Sequence, residues 1–281
     1  MLRLAEALLA VGVLVAAPAT ARAWCQQTTH DDDSCFPDPG TPLLWEGNCL
    51  QYSIYQAGSD DLPLDAVRDV MGRSFGAWSQ ASRDGASPCT YISFSETDLA
   101  TCDAVEYRSE GGNMNLVVFR ESGWQAIRNH AAASMGLTTV LFDPKDGQIL
   151  SADMELNGEF FTFTVDPANA DADLQNTATH EAGHVIGLAH TPVVEATMYG
   201  TSTSGETSKA TLHEDDIDAV CTMYPIEEDP GECLYPPGGL DPACTPVDDG
   251  CGCRTPGDSR GGARAIVLLV AFAIGFARRR L

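Results

Sequence analysis

The sequence predicts an α+β fold, in which short strands form a sheet and helices pack against it. Apolar and polar residues alternate in several short runs, which is typical of half-buried strands. Elsewhere apolar residues recur at intervals of three and four, which is typical of a helix with one buried face. Hydrophobic residues make up 44% of the 281 residues, enough for a substantial core. Together these observations favour a folded domain of mixed type.

The expected strands lie in the first two thirds of the chain. Leu50, Tyr52 and Ile54 alternate like a half-buried strand. Short runs rich in β-forming residues follow at residues 91–94, 115–119, 138–142, 149–156 and 160–165. Residues 143–147 contain Pro and Gly, and they are expected to form a turn between two of these strands.

Three helices are expected. The first covers residues 63–81, and its apolar face comprises Val67, Val70, Met71, Phe75 and Trp78. The second covers residues 174–186. The third begins at Thr211, because Thr211 and Glu214 have the spacing of a capping box.

The charge of the chain excludes some partners. Forty acidic against sixteen basic residues give a net charge of −24, which repels nucleic acid and anionic membranes and attracts cations such as calcium. Asp171 and Asp173 are candidate calcium ligands, although acidic residues ahead of a helix also stabilise its dipole. We therefore expect no nucleic-acid partner, and no partner subunit is indicated, so a monomer is expected.

The first 23 residues have the pattern of a secretory signal. Arg3 is followed by an apolar stretch over residues 4–17, and Ala21 and Ala23 form an A-x-A cleavage site. Export makes disulfides plausible, and eight cysteines precede Cys251 and Cys253. An even number suits structural bridges, but the sequence alone leaves the pairings open.

We divide the chain into five segments on this basis. Between residues 225 and 262, 15 of 38 residues are Pro or Gly, which argues for an unpacked linker. The expected segments are a signal peptide at 1–23, a Cys-containing segment at 24–42, a globular domain at 43–225, a linker at 226–262 and a tail at 263–281.

The tail is apolar over residues 265–277 and ends in three arginines at 278–280. Thirteen residues are short for a helical membrane span, which needs about 20. Flanking arginines can snorkel, so a thin crossing stays open. The arginines would place this end in the cytoplasm and the main domain outside.

A histidine cluster carries the chemistry. On a helix, positions four apart share a face, so His180 and His184 can reach one ion. Gly187 can leave the helix through a left-handed conformation, which turns the chain and brings in His190. Three neutral imidazoles with one open coordination position are typical of a catalytic Zn²⁺ site. The open position would hold a water molecule, and Glu181 would take its proton as general base.

A rival zinc arrangement has a different third ligand. Glu214 and Asp218 fit the E-x-x-x-D pattern that supplies this ligand in thermolysin-like enzymes. Only His190 makes use of Gly187, and Glu214 is already explained by the capping box, so we favour His190. The other histidines have no comparable context and are expected at the surface, namely His30, His130 and His213.

The pattern H-E-x-x-H-x-x-G-x-x-H resembles that of the metzincin metalloproteases, and the chain is similar to their matrixin-like branch over about residues 43–225. The resemblance implies a metzincin-like catalytic domain with a twisted mixed sheet, an active-site helix and a C-terminal helix. It also implies an endopeptidase with one catalytic zinc ion, acting on a protein or peptide substrate.

Two further features follow from the resemblance. Met198 matches the methionine turn beneath the metal, where it would be a floor and not a ligand. In some metzincins a tyrosine two places after the methionine binds zinc; Gly200 holds that place here, so Tyr199 is not carried over. Residues 138–142 would be the edge strand on which an extended substrate pairs, and an ordinary sheet strand remains the alternative.

Both ends of the chain depart from the vertebrate matrixins, which have a long pro-segment whose cysteine blocks the zinc. Here the segment before the domain is short, and Cys35 fits either such a switch or a disulfide. The tail resembles the sorting tail of myxobacterial exported proteins, with Cys251 or Cys253 as the matching cysteine. This implies processing or sorting machinery in the membrane and attachment at the cell surface; a simple membrane anchor is the alternative.

Two other functions stay open. A non-catalytic zinc-binding interaction module would use the same histidines, but it would not need a carboxylate at Glu181. A zinc amidase acting on cell-wall peptide would use the same chemistry as a protease. The sequence therefore predicts an exported zinc enzyme and leaves its substrate to experiment.

Overall fold

A computed structural model describes residues 23–30, 35, 40–109, 111–166, 168, 171–233, 235 and 239–245, and the backbone of residues 266–274. Residues 1–22 of the expected signal peptide at 1–23 lie outside the described residues, as do Cys251, Cys253 and the arginines at 278–280. The strands are β1 Cys25–Gln26, β2 Cys49–Ile54, β3 Ser93–Glu96, β4 Leu116–Phe119, β5 Ser134–Phe142, β6 Ile149–Leu156, β7 Phe163–Thr164, β8 Ala172–Asp173, β9 Leu188–Ala189, β10 Thr201–Ser202 and β11 Ile266–Ile274. The helices are α1 Leu64–Ser79, α2 Leu174–Val185 and α3 Glu214–Met223.

Seven strands form one mixed sheet in the order β10-β11-β5-β6-β4-β2-β3. Strands β3, β2, β4 and β6 run parallel to one another, whereas β5 is antiparallel to β6. Both α1 and α2 pack on the sheet and on each other. The predicted α+β class is confirmed.

Strand β2 is buried on both faces, although the alternation of its residues predicted a half-buried strand. Leu50, Tyr52 and Ile54 enter the main apolar core. The polar residues between them are also covered, because Ser53 meets the hydroxyl of Thr97 at 2.7 Å and Gln51 donates to Cys233 at 3.1 Å. Covering by distant segments is invisible to a local pattern.

Helix α1 buries the face that the spacing predicted. Val67, Val70, Met71, Phe75 and Trp78 are all at most 2% exposed. The indole Nε1 of Trp78 donates to the carbonyl of Thr179 on α2 at 2.9 Å, which couples the two helices. The prediction of this helix is confirmed.

The predicted cap of α3 is wrong. The helix begins at Glu214, and its N-cap is His213, whose Nδ1 accepts from the amide of Asp215 at 3.2 Å. Asp216 completes the box by accepting from the amide of His213 at 2.8 Å. Thr211 has extended backbone angles and follows a 3₁₀ turn at Ser208–Ala210.

His130 is buried and not at the surface as expected. Its Nε2 lies 3.1 Å from a carboxylate oxygen of Glu155, whose other oxygen accepts from Arg120 at 2.7 Å. Burial by itself raises the pKa of Glu155, but the hydrogen bonds from His130 and Arg120 outweigh burial and lower it. The histidine therefore helps to satisfy a buried carboxylate.

Four disulfides join the eight cysteines before Cys251, as Cys25–Cys35, Cys49–Cys233, Cys89–Cys221 and Cys102–Cys244. Cys35 is thus bonded, which favours the disulfide over the metal-blocking thiol. Two bridges attach residues 233 and 244 to the main domain, so the described part of the expected linker is covalently fastened to it.

Residues of the apolar tail form β11, which pairs antiparallel with β5. Strand β10 continues the sheet beside it in parallel. None of the helices in the described part of the chain has the length and apolar character that a membrane crossing requires.

Candidate metal centre

Helix α2 carries the first two histidines in a fully enclosed position. Its N-cap Asp173 accepts from the amide of Asn176 at 2.7 Å, so this carboxylate stabilises the helix terminus. Asp171 accepts from the hydroxyl of Ser204 at 2.9 Å. His180 and His184 are both 0% exposed.

Gly187 ends the helix and redirects the chain, as predicted. It has a φ of +91°, and its amide donates to the carbonyl of His184 at 3.0 Å. A Cβ at this position would lie 2.7 Å from the carbonyl oxygen of Leu43, so no larger residue fits. The following strand β9 pairs with β1 and leads to His190.

The three histidines converge on one point. The Nε2 atoms of His180, His184 and His190 are separated from one another by 3.1 to 3.2 Å. Nδ1 of His180 lies 2.5 Å from the carbonyl of Thr197, and Nδ1 of His184 lies 2.7 Å from that of Leu188. Because a carbonyl only accepts, these Nδ1 atoms carry the proton, and the lone pairs of both Nε2 atoms face the centre.

This donor set fits Zn²⁺. Two nitrogens at about 2.1 Å from one ion, at a tetrahedral angle, lie about 3.4 Å apart, close to the observed separations. Burial, followed by the neighbouring His184 and His190, lowers the pKa of His180 well below its usual value, which favours the neutral ligand form. Among the described residues these three histidines form the one group of metal-binding type.

The rival third ligand is excluded by position. Glu214 is exposed at the start of α3, where it takes no part in this group. Another residue of α3, Asp216, supports the site instead, by accepting from the amides of Thr197 at 2.7 Å and Met198 at 3.0 Å. The sequence does not indicate this role of Asp216, because it depends on the approach of a distant helix.

The methionine turn lies under α2. Met198 is 2% exposed, and its sulfur contacts the position where a Cβ on Gly183 would stand. The ring of His190 lies against Gly200, at which a Cβ would come within 2.8 Å of ring atoms. The small residues therefore let the turn and the third histidine approach the helix closely.

Glu181 follows His180 on α2, and its side chain is buried. One oxygen, Oε2, accepts from the hydroxyl of Thr138 on β5 at 2.6 Å. The other, Oε1, has no hydrogen-bond partner among the described residues although it is inaccessible. Burial raises the pKa of Glu181 to about 8, and the bond from Thr138 partly opposes this.

A buried carboxylate oxygen without a protein partner suits a site that binds water or substrate. Thr138 and Gly136 approach this carboxylate from the same strand, a contact that the sequence does not indicate. Their spacing of two residues was the only local signal, since it places both on one face of β5.

The chain is similar in sequence to known proteins. A model of the matrixin family matches residues 44–225. Neutrophil collagenase of Homo sapiens is 30% identical over 209 residues, which cover 74% of this chain and 39% of the relative. Metalloendoproteinase 2-MMP of Arabidopsis thaliana is 28% identical over 190 residues, covering 66% of this chain and 44% of the relative. The chain thus spans less than half the length of these relatives.

The matched residues 44–225 make up well over half of the chain and include α2, the three converging histidines and the methionine turn. The resemblance inferred from the histidine pattern is confirmed at this level. The chain belongs to the matrixin family.

Proposed function

We propose that this protein is an exported zinc endopeptidase that hydrolyses peptide bonds in proteins or peptides. His180, His184 and His190 would hold the ion, and Glu181 would be the general base. The observation that carries this proposal is the convergence of three Nε2 atoms within 3.2 Å, together with a buried carboxylate on the residue after His180 that has one oxygen without a partner among the described residues.

The histidines and Glu181 divide the chemistry between them. When bound, Zn²⁺ supplies Lewis acidity, which lowers the pKa of a water molecule and polarises the peptide carbonyl. Oε1 of Glu181 takes the proton of the attacking water and passes it to the amine nitrogen that leaves. Thr197 and Leu188 hold the imidazoles of His180 and His184 in the tautomer that ligation requires.

Strand β5 is the proposed support for an extended substrate. It contacts Glu181 through Thr138, and backbone pairing along its outer edge, once β11 has left that edge, would orient a peptide with little dependence on its side chains. This proposal gives the enzyme a protein or peptide substrate, and it predicts broad rather than narrow side-chain selection.

Export and surface attachment complete the proposal. Four disulfides are expected of an oxidising compartment outside the cytoplasm. Trp24, the first residue after the expected cleavage site, packs against the main core, and its indole donates to Asp218 at 3.2 Å. The tail at 263–281 would then be sorted or retained as an anchor, which keeps the domain 43–225 at the cell surface.

The test is hydrolysis of casein and of purified peptidoglycan by a chain of residues 24–245, which keeps both partners of all four disulfides. We expect casein cleavage that a chelator abolishes and one equivalent of zinc restores. Release of peptides from peptidoglycan alone would favour the amidase. Zinc binding without hydrolysis of either substrate would favour the interaction module and contradict the proposal.

A further inference from the structure

We infer that Thr138 is a positioning residue, whose hydroxyl holds the Glu181 carboxylate in the orientation that proton transfer requires. This inference rests on the proposed role of Glu181 as general base. It concerns β5, a strand that contributes no metal ligand.

The contact between the two side chains is short and enclosed. Oγ1 of Thr138 lies 2.6 Å from Oε2 of Glu181 and 3.3 Å from its backbone oxygen, and both residues are 0% exposed. A hydroxyl has one hydrogen, and the carboxylate oxygen is the nearer and stronger acceptor. Oε2 is therefore engaged, and Oε1 remains to receive a proton.

Gly136 restricts the same carboxylate from a second side. It lies two residues before Thr138, so both positions share the face of β5 that meets α2. A Cβ on Gly136 would come within 2.6 Å of Oε1 and 2.9 Å of Cδ of Glu181. The carboxylate thus fills the space above a glycine and is bonded to the next residue on that face, which limits its rotation.

A purely structural role for Thr138 would be to satisfy a buried carboxylate. The two roles differ in what they change. A positioning role affects the chemical step and therefore kcat, whereas a structural role affects folding or zinc retention. Replacing the hydroxyl by a methyl group of similar size separates them.

The experiment compares Thr138→Val with Thr138→Ser in a chain of residues 24–281. Zinc content and the free energy of unfolding are measured for each variant. We expect Thr138→Val to lower kcat by about 10- to 100-fold with KM nearly unchanged, because misplacing a proton acceptor removes most of its benefit. Thr138→Ser keeps the hydroxyl and should stay within about threefold of the parent. Thr97→Val, which removes a hydroxyl that contacts Ser53 on β2 and lies outside β5 and the metal centre, is the matched control and should leave kcat unchanged.

A second measurement does not depend on activity. In the metal-free protein, Thr138→Val, Glu181→Gln and the double variant form a thermodynamic cycle, and we expect their effects on unfolding to be non-additive. Equal kcat values for Thr138→Val and the parent, equal losses in the Val and Ser variants, or additive effects on unfolding would overturn the inference. A parent chain that cleaves nothing would instead contradict the proposed function.

An independent observation concerns β11 and the edge of β5. We propose that β11 occupies the edge of β5 on which a substrate would pair, and so lowers the peptidase activity of the full chain. This rests on the proposed pairing of substrate with β5. Strand β6 takes one edge of β5, and β11 takes the other.

The register places β11 beside the part of β5 that contacts Glu181. The pairing runs from Ile266 opposite Phe142 to Ala273 opposite Ser134, in antiparallel direction. Within it, Val270 is opposite Thr138 and Phe272 is opposite Gly136, the two positions that face Glu181. An extended peptide cannot pair with these residues until β11 leaves.

The same residues were expected to act as an apolar tail. A segment that enters a bilayer or is removed by processing cannot remain paired with β5, so attachment at the cell surface would open the edge. At the other end of the chain, Cys35 is bonded to Cys25 and is not a free thiol for the metal. Inhibition of the peptidase would therefore come from β11, near the C-terminal end of the chain, and not from Cys35.

The test replaces Leu269 and Val270 by proline in a chain of residues 24–281, which keeps the tail. Proline lacks an amide hydrogen, and two consecutive replacements remove at least one donor that faces β5. We expect kcat/KM for a peptide to rise at least about fivefold, mainly through a lower KM, because the edge is open in a larger fraction of molecules. Prolines at Ser259 and Arg260, outside β11, are the control.

Hydrogen exchange gives a readout that needs no activity. Amides of residues 134–142 should exchange faster in the β11 proline variant than in the control variant. Unchanged exchange, or an unchanged kcat/KM in an active enzyme, would overturn the proposal. Loss of all cleavage in every variant, with faster exchange in the β11 variant, would locate the failure in the proposed function instead.

Discussion

The metal centre and the outer edge of β5 lie close together, but they are formed by different kinds of contact. The metal centre is built from an eleven-residue stretch, His180 to His190, and from backbone carbonyls that fix its imidazoles. The edge of β5 is covered by residues 266–274, which lie more than 120 positions further along the chain. The metal centre is therefore set by local spacing and enclosed by the core, whereas the outer edge of β5 is covered by a separable strand.

Loss of a ligand should produce the largest effect. His184→Ala removes one of three imidazoles, so we expect loss of bound zinc and of peptide cleavage to the background of the assay. Elemental analysis and a peptide assay check this result, with the exposed His30→Ala as control. Full zinc occupancy in His184→Ala would show that the centre does not depend on this local set.

Support from outside the local stretch should have a smaller effect. Asp216→Asn replaces one of the oxygens that accept from the amides of Thr197 and Met198 by an amide group that donates. Because Thr197 also holds His180, we expect zinc affinity to fall about 10- to 100-fold.

Competition with a chelator measures the affinity of Asp216→Asn for zinc. Asp218→Asn on the same helix is a suitable control, since its side chain is half exposed and bonded to Arg83. Equal zinc affinity in the two variants would contradict a supporting role of Asp216.

Close packing beneath the metal centre gives a stability prediction. A Cβ on Gly183 would collide with the sulfur of Met198 and lie 2.8 Å from the ring of Trp78. We expect Gly183→Ala to lower the free energy of unfolding by about 1–3 kcal/mol, the usual range for overpacking. Denaturant unfolding of the metal-free protein checks the value without any contribution from zinc.

The matched replacement in α1 should act in the opposite direction and more weakly. Gly72 is exposed, and a Cβ there would have no neighbour within 4 Å. We expect Gly72→Ala to raise the free energy of unfolding by about 0.5–1 kcal/mol, since alanine restricts the unfolded chain and favours the helix. If both alanines shift unfolding equally, the tight contact at Gly183 does not matter.

The difference between local and long-range contacts also explains which features the sequence could predict. The helical spacing of His180 and His184, the turn at Gly187 and the buried face of α1 depend on neighbours within a few residues, and the structure has them as expected. The covering of β2, the burial of His130 by Glu155 and the pairing of β5 with β11 depend on distant segments. Local patterns carry no information about such partners.

The wrong cap of α3 arose from competition between local signals. Thr211 and Glu214 have the spacing of a capping box, but His213 and Asp216 have it too, and the chain uses the second pair because Asp216 also accepts from the methionine turn. The contact of Thr138 with Glu181 could not be predicted for another reason, because it joins β5 to a helix 43 positions away in the chain.

The central claim is that Glu181 is the general base of a zinc peptidase. The most direct measurement is the kcat of Glu181→Gln against that of the parent, with one zinc ion per chain verified in both proteins. Because Gln keeps the shape but cannot accept the proton, we expect unchanged zinc content and a fall in kcat of at least about 100-fold. A Glu181→Gln variant that retains zinc and cleaves peptide at the parental rate would contradict the claim.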